Sequence, residues 1–307
     1  MNPINLSYVM TTYNKLPYLK EVMKRLLENV KEDEEIVVVD GASNDGTVEY
    51  LVELYKQGKI NQFISEPDKG EAHGYNKGLL MAKGSLIKII TDDDAFYYPG
   101  IQECKNFMLE HSEIDVLSGN VANMQLGVTE PDKVQGYQEQ YENWKSYGYI
   151  FGFSGLPMML RRSSIALTGL INTNIVCSDT EFSFKATSVA NIAWYIGIVS
   201  INIVNPLSNT IKYSEQLKKD KKKLMDYYDY IYIKKNKSNT TIYHIKYLFN
   251  ILYRNLSLKK SKTNLQAIGR YSSNTKVSSD INEVFLICDQ WLKNHNSSLQ
   301  EEFLYRA

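Results

Sequence analysis

The feature that most constrains the fold is a regular alternation of short apolar runs and helical patterns over the first hundred residues. The runs Leu6–Met10, Ile36–Val39 and Leu86–Ile90 have the length and composition of buried strands. Between them, apolar residues recur at helical spacing, notably over 18–29 and 71–81. This β-α-β-α order predicts an α/β fold with a mostly parallel sheet and helices on both faces.

Polar residues follow each predicted strand, and a parallel sheet would gather them at one edge. Ligands of such sheets bind beyond the carboxyl ends of the strands. The groups found there are Thr11–Asn14, Asp40, Glu66–Gly70 and Asp92–Asp94. We therefore expect the functional site at this edge.

The acidic triplet Asp92–Asp94 is unusual because it directly follows a buried strand. Mutual repulsion and desolvation of the three carboxylates disfavour folding unless a positive charge lies among them. Carboxylate oxygens suit Mg²⁺ or Mn²⁺, so one interpretation is a divalent cation that also binds a diphosphate. The other interpretation is a solvated turn whose acids cap the next helix.

Charge is distributed unevenly along the chain. The 307 residues hold 35 basic and 35 acidic side chains, but residues 1–211 are acidic on balance, with 17 Lys and Arg against 26 acids. The segment 212–262 has 14 basic residues against four acids, together with several tyrosines. Lys and Tyr together suit a membrane surface, so we expect peripheral membrane contact through this segment, with a solvated helical face as an equal alternative. No RNA-binding motif is present, and no nucleic-acid partner is expected.

Domain organisation and location follow from the same patterns. We divide the chain into a main α/β domain over 1–211 and a basic, Tyr- and Lys-rich helical extension over 212–307. Three widely spaced cysteines, which match no metal-ligand spacing, indicate a reducing compartment. Neither a signal-peptide pattern nor an apolar run of ~20 residues is found, so we expect a cytoplasmic protein, peripheral on the inner face of the cell membrane.

Five motifs follow one another along the first hundred residues: MTTYNK at 10–15, VVDGASNDGT at 38–47, SEPDKG at 65–70, NKG at 76–78 and DDD at 92–94. In this order they resemble those of family 2 glycosyltransferases with the GT-A fold. The resemblance is continuous over about 4–100 and weakens towards 211. It implies that 1–211 is a Rossmann-like GT-A catalytic domain of an inverting hexosyl- or N-acetylhexosaminyl-transferase. Such an enzyme would move a sugar from a nucleotide diphosphate, expected to be UDP, to a hydroxyl of a glycan or lipid-linked glycan in bacterial surface polysaccharide synthesis.

The resemblance also implies which residues bind the donor. Thr11 and Tyr13 follow the first strand, where a base could stack on the phenol. Asp40 ends the second strand and could accept the uracil imide N–H. The remaining donor-binding candidates are Asp68, Lys69, Asn76, Asp92 and Asp93. For Lys69, a solvated turn lysine is an equal alternative, and Gly78 in a helical pattern implies close packing or ligand approach.

The same family pattern places the metal, Mn²⁺ or Mg²⁺, at the triplet. It implies Asp94 as the leading ligand and Asp93 as a contact to the ribose or a support for the ligand. Asp92 and Asp94 would share a face in an extended chain, so ligation by both or by Asp94 alone stays open. The third ligand is also open, since 191–243 contains no histidine.

Asp179 matches the position where the family has its catalytic acid, at the start of a predicted helix over 178–190. A carboxylate there could take the acceptor proton, while the metal stabilises the leaving diphosphate. Helix capping by Ser178 or Asp179 is the structural alternative. Glu181 is the second candidate, because Ser178 precedes Asp179 where relatives often have glutamate.

Other function classes fit less well. A nucleotidyltransferase or a dinucleotide-dependent oxidoreductase should have a glycine-rich phosphate loop after the first strand, and Thr11–Asn14 is not one. A non-catalytic sugar- or membrane-binding protein that retains the fold is the remaining alternative.

Overall fold

The computed structural model describes residues 3–126, 128, 130–204, 212–235, 281–297 and 303–306. Its strands are β1 (Leu6–Thr12), β2 (Glu34–Asp40), β3 (Gln62–Ser65), β4 (Leu86–Ile90), β5 (Ala95–Phe96), β6 (Val116–Gln125), β7 (Asp132–Gln135), β8 (Met159–Arg161), β9 (Ile192–Val204) and β10 (Phe303–Leu304). Its helices are α1 (Leu16–Asn29), α2 (Thr47–Lys56), α3 (Glu71–Met81), α4 (Tyr98–Glu110), α5 (Gln138–Tyr147), α6 (Ile165–Thr168), α7 (Ser178–Val189), α8 (Ser214–Lys235) and α9 (Ile281–Asn296).

The described strands form one sheet in the order β10-β9-β6-β8-β4-β1-β2-β3, with β5 and β7 paired to β9 and β6. β1 pairs in parallel with β2 on one side and β4 on the other, and β2 pairs in parallel with β3. The chain therefore runs outward from β1 to β3 and then returns to the opposite side of β1. The carboxyl end of β1 is the topological switch point, where ligands bind in sheets of this type. The predicted mostly parallel α/β fold is confirmed.

Successive residues of a strand point to opposite sides of the sheet. Both faces therefore carry apolar side chains, and helices cover each face. Tyr8 and Met10 of β1 lie in one buried apolar layer with residues of α1, α2, α4 and α9. Val9 lies in the other layer with residues of α3, α5 and α7. The alternating side chains of β1 thus lie with α1, α2, α4 and α9 in the layer on one face of the sheet, and with α3, α5 and α7 in the layer on the other.

Gly78 allows α3 to approach β1 closely. A Cβ at this position would lie 2.4 Å from Cγ1 of Val9, so any larger residue would push the helix away from the sheet. The glycine in the helical pattern is therefore explained by packing. This close contact also holds the start of α3 beside the carboxyl end of β1.

Helix α9 belongs to the same hydrophobic core as β1 and α1. Its apolar side chains Val284, Phe285, Cys288 and Leu292 are buried in that layer. The Arg25 guanidinium of α1 also donates to the Asp289 carboxylate at 2.8 Å. The described end of the predicted extension thus completes the core of the domain.

Helix α8 packs on α7. The ring of Tyr228 stacks on Phe184 with centroids 5.2 Å apart, and the Asp220 carboxylate accepts from the Val176 N–H at 3.1 Å. The part of the basic segment 212–262 that follows residue 235 lies outside the described residues, and so does an amphipathic helix that the sequence pattern predicts over 243–258. Within the described ranges, no helix has both the length and the apolar character of a membrane span.

Candidate active site

The chain leaving β1 is held at the switch point by the turn between β2 and α2. Asn14 adopts a left-handed conformation with φ of 52°. Its N–H donates to Ser43 Oγ at 2.9 Å, and its Oδ1 accepts from the Asn44 N–H at 2.8 Å. The Asp45 carboxylate accepts from the Leu16 N–H at 3.0 Å and so fixes the start of α1. These contacts hold the chain from Asn14 to Leu16 against the turn that follows β2.

Asp40 joins this turn to β3. Its buried carboxylate accepts from the Ser43 N–H at 3.0 Å, from Ser43 Oγ at 2.5 Å and from Ser65 Oγ at 2.6 Å. A carboxylate offers about four lone-pair sites, so the structure uses three of them internally. The predicted contact with a base would therefore use the remaining one.

Three predicted donor-binding residues lie close together beside the turn that follows Asp40. A carboxylate oxygen of Asp68 lies 3.2 Å from the points where a Cβ of Gly41 or Gly74 would stand, so the two glycines let Asp68 pack closely between them. The same point at Gly74 lies 3.1 Å from Thr11 Cβ. The Tyr13 side chain borders Gly41 and is 59% exposed, which leaves its ring face open to a planar ligand.

Lys69 and Asn76 occupy different surroundings. Lys69 is exposed on the loop that carries Asp68, and its backbone N–H donates to His73 Nδ1 at 3.1 Å. The buried amide of Asn76 donates to the Ile171 carbonyl at 2.7 Å and accepts from the Ile171 N–H at 2.9 Å. The structure thus leaves the Lys69 side chain exposed on the loop beside Asp68 and commits the Asn76 amide to backbone packing.

Asp92 and Asp93 share one cation, the ammonium of Lys15. Its Nζ lies 3.2 Å from Asp92 Oδ1 and 2.7 Å from Asp93 Oδ2. Burial and repulsion by Asp93 raise the pKa of Asp92 to about 7, although Lys15 acts to lower it. Burial alone would lower the pKa of Lys15, but the two carboxylates raise it above its ordinary value. The positive charge that the triplet requires is therefore supplied by a side chain.

Sequence reasoning did not single out Lys15, although it stands in the motif after the first strand. The available signal was its place as the first basic residue beyond the switch point. Its partner Asp92 lies 77 positions further along the chain, and no local sequence pattern indicates a pairing over that distance.

Asp94 points into the protein. Its Oδ2 accepts from Thr91 Oγ1 at 2.7 Å and its Oδ1 accepts from the Ile203 N–H of β9 at 2.7 Å. The three acids lie in a bend, so the strand rule that would bring Asp92 and Asp94 to one face does not apply. Burial and repulsion by Asp93 raise the Asp94 pKa. The structure brings Asp92 together with Asp93, and Asp94 anchors the bend to β9.

A divalent ion fits this arrangement at the position of the shared cation. In the described part of the chain, no three His, Cys, Asp or Glu side chains are grouped as a metal site. Asp92 and Asp93 nevertheless aim oxygens at a single positive charge, and hard ions such as Mg²⁺ accept two carboxylates with water or phosphate oxygens as further ligands. Asp92 and Asp93 would hold such an ion.

A polar stripe on α7 binds the extended segment 151–155. The pairs are Phe151 N–H with Thr187 Oγ1 at 3.2 Å, Phe153 N–H with Ser183 Oγ at 2.9 Å, and Gly155 N–H with Asp179 Oδ2 at 3.5 Å. The spacings match because four helical residues rise about 6 Å and two extended residues about 6.6 Å. Asp179 is the last and loosest of the three contacts.

Asp179 and Glu181 differ in what they face. Asp179 is exposed, and its charge lies close enough to Tyr137 to add to the burial that raises the Tyr137 pKa to about 12. Glu181 Oε1 accepts from the Tyr228 hydroxyl of α8 at 3.3 Å. Of the two candidate bases, Asp179 has the accessible carboxylate, whereas Glu181 contributes to the contact between α7 and α8.

Lys88 connects the segment 151–156 to β4, the strand that precedes the triplet. This fully buried lysine donates to the Ile89 carbonyl at 2.8 Å and to the Leu156 carbonyl. Burial lowers its pKa to about 7. One short stretch of backbone thus touches both Asp179 and the strand that precedes Asp92.

Comparison with known proteins identifies the family of this chain. The model of glycosyl transferase family 2 matches residues 7–167. Poly-beta-1,6-N-acetyl-D-glucosamine synthase of Staphylococcus epidermidis is 21% identical over 192 residues, which cover 59% of this chain and 45% of that protein. The chain spans 33% to 49% of the length of the first four curated relatives that it matches.

Two solved structures share the fold. Residues 1–349 of S. aureus TarS, in complex with UDP-GlcNAc, superpose with a TM-score of 0.55 at 18% identity and cover 67% of this chain and 60% of that one. Mannosyltransferase PcManGT from Pyrobaculum calidifontis, in complex with GDP-Man and Mn²⁺, gives a TM-score of 0.55 at 13% identity and covers 95% and 88%. Since the family model spans more than half of the chain, the protein belongs to glycosyl transferase family 2 and has the GT-A fold.

Proposed function

We propose that this protein is a metal-dependent inverting glycosyltransferase that uses a nucleoside diphosphate sugar, with UDP as the expected nucleotide. The observation that carries the proposal is the arrangement around the carboxyl end of β1. Thr11, Tyr13 and Asp68 lie close together on the β2 side, and Asp92 with Asp93 gathers negative charge on the β4 side. A planar base suits the first place, and a cation with its diphosphate suits the second.

The donor would be held as follows. The exposed Tyr13 ring offers a stacking surface, and the free acceptor site of Asp40 takes a base N–H. Asp68 and Lys69 lie on the loop beside the base, with Lys69 available to a phosphate oxygen. Asp92 would hold the ion, and Asp93 contacts the ribose or joins Asp92 at the ion. TarS with bound UDP-GlcNAc and PcManGT with bound GDP-Man and Mn²⁺ share the fold and support this class of donor.

Transfer requires one displacement at the anomeric carbon. Asp179 accepts the proton of the acceptor hydroxyl while that oxygen forms the new bond to carbon. The bond from the anomeric carbon to the phosphate oxygen breaks, and the nucleoside diphosphate leaves with the electron pair. Mn²⁺ or Mg²⁺, when bound, stabilises the charge of the leaving group. Because Asp179 acts as a base and not as a nucleophile, the configuration inverts.

The acceptor is a hydroxyl of a glycan or lipid-linked glycan, and the product a bacterial surface polysaccharide. The chain's likeness to a poly-N-acetylglucosamine synthase supports this class, with a hexosyl or N-acetylhexosaminyl group as the sugar. The exposed lysines within 218–223 give α8 a basic surface that suits an anionic membrane holding such an acceptor. We retain the division into a catalytic domain over 1–211 and an extension over 212–307. Within that extension α8 would make this contact, whereas α9 packs in the core of the domain.

A donor panel tests the proposal. The full chain is incubated with UDP-, GDP- and dTDP-linked sugars, with Mn²⁺ or with EDTA, and release of the nucleoside diphosphate is measured. At least one donor should release its nucleoside diphosphate faster with Mn²⁺ than with EDTA. Binding of a nucleotide without turnover of any donor, with acceptors present, would favour a non-catalytic sugar-binding protein.

A further inference from the structure

Lys15 places its ammonium where the proposed function requires a divalent ion. The nitrogen bridges Asp92 and Asp93 at 3.2 Å and 2.7 Å, and both carboxylates are almost fully buried. Glu71, at the start of α3, adds a further negative charge to the field at Lys15. A divalent ion on the same two oxygens would lie at contact distance from the ammonium, and the two positive charges would repel each other.

The ammonium can leave this place without disturbing the core. The Lys15 side chain is 18% exposed, whereas those of Asp92 and Asp93 are 7% and 10% exposed. Lysine carries its charge on a flexible stem of four carbons, so rotation about these bonds takes the nitrogen to solvent. The carboxylates lie in the bend that Asp94 anchors to β9, and they have no comparable freedom.

We propose that Lys15 is the resident counter-ion of Asp92 and Asp93, and that a divalent cation binds this pair only by displacing it. Lys15 then keeps the buried carboxylates neutralised in the nucleotide-free protein and weakens metal binding there. The inference rests on the proposed function, which gives the position of the metal. Competition between Lys15 and the ion can nevertheless be measured without donor or acceptor.

The first test measures Mn²⁺ affinity of the full chain without nucleotide, from the free-ion signal in electron paramagnetic resonance. Lys15→Met should bind Mn²⁺ at least about tenfold more tightly than the unsubstituted chain, because a like charge is removed at contact distance. Lys15→Arg keeps the charge and should bind as weakly as the parent. Lys77→Met removes a lysine paired with Glu66 at 2.9 Å and controls for net charge. Equal or weaker binding by Lys15→Met would overturn the inference.

The second test uses the unsubstituted protein and does not depend on a variant that folds. Reductive methylation of Lys15, followed by peptide mass spectrometry, should be slow without metal and accelerate severalfold at saturating Mn²⁺, while Lys77 stays unchanged. A Lys15 rate that Mn²⁺ leaves equal or lowers would contradict displacement. Neither test involves sugar transfer, so a chain that shows displacement but turns over no donor would refute the proposed function alone.

Discussion

The two halves of the candidate site are built in opposite ways. On the donor side, Asp40, Asp92 and Asp93 are buried, and their oxygens accept short bonds from neighbours. On the acceptor side, Asp179 is exposed. Its Oδ1 accepts from the Thr180 N–H at 2.7 Å, but its Oδ2 has only the 3.5 Å contact with the Gly155 N–H. The difference follows from the tasks proposed for each half. Binding a charged donor needs fixed groups, whereas a general base must keep an oxygen free for the incoming hydroxyl.

The largest expected effect concerns the acceptor side. Asp179→Asn removes the proton acceptor and should lower the rate of transfer by about 10²- to 10⁴-fold, while donor affinity stays the same. Transfer is followed by nucleotide release, and donor binding by calorimetry. Glu181→Gln is the matched control, because that side chain faces Tyr228, and it should retain most activity. Full activity in Asp179→Asn would remove this residue from the mechanism.

The next prediction separates the acids of the donor side. Asp93→Asn should weaken binding of a nucleotide together with Mn²⁺ by about tenfold or more, because it removes a charged ligand from the pair that meets at Lys15. Asp94→Asn should change that affinity little, because its carboxylate faces Thr91 and Ile203. Calorimetric titration with UDP and Mn²⁺ compares them. If Asp94→Asn has the larger effect, Asp94 is the metal ligand that the sequence pattern implies.

These two predictions also mark what the sequence could provide. Periodicity located β1, β2 and β4 within a few residues, and the order of strands gathered Thr11, Asp40 and Asp92 at one edge. The sequence pattern did not show that the Asp94 carboxylate turns towards Ile203, because that partner is 109 positions away on a distant strand. The match between α7 and 151–155 was equally hidden, since it depends on how two separate segments align and not on either alone.

The contacts between α7 and 151–155 lead to a prediction with a smaller expected effect, which concerns both halves of the site. Ser183→Ala deletes the middle contact of the α7 stripe, which should cost about 1 kcal/mol of unfolding free energy. Transfer should fall by roughly tenfold with donor affinity unchanged, because 151–155 no longer lies firmly beside Asp179.

The control for this change is Ser188→Ala on the same helix. Ser188 Oγ donates only to the Lys185 carbonyl within α7, so its loss should leave transfer near the parent rate. Thermal unfolding is measured for both variants. A Ser183→Ala protein that is less stable yet transfers at the parent rate would show that the stripe serves stability alone.

The smallest effect concerns Lys88, which joins the two halves and carries a buried amine. Burial lowers its pKa from 10.5 to about 7. Between these values the unfolded chain binds more protons than the folded one. The contribution of Lys88 to stability therefore rises with pH and is lost as pH falls towards 7.

In Lys88→Met this pH dependence of stability is absent. The midpoint of thermal unfolding of the variant, relative to the parent, should therefore be higher at pH 6 than at pH 10, by about 3 °C or more. Lys83→Met, at an exposed position, should show no such difference between the two pH values. A constant offset for Lys88→Met would mean that its amine keeps its proton when buried, with the Ile89 and Leu156 carbonyls as sufficient partners, and the connection between β4 and 151–156 would then be a permanent charged one.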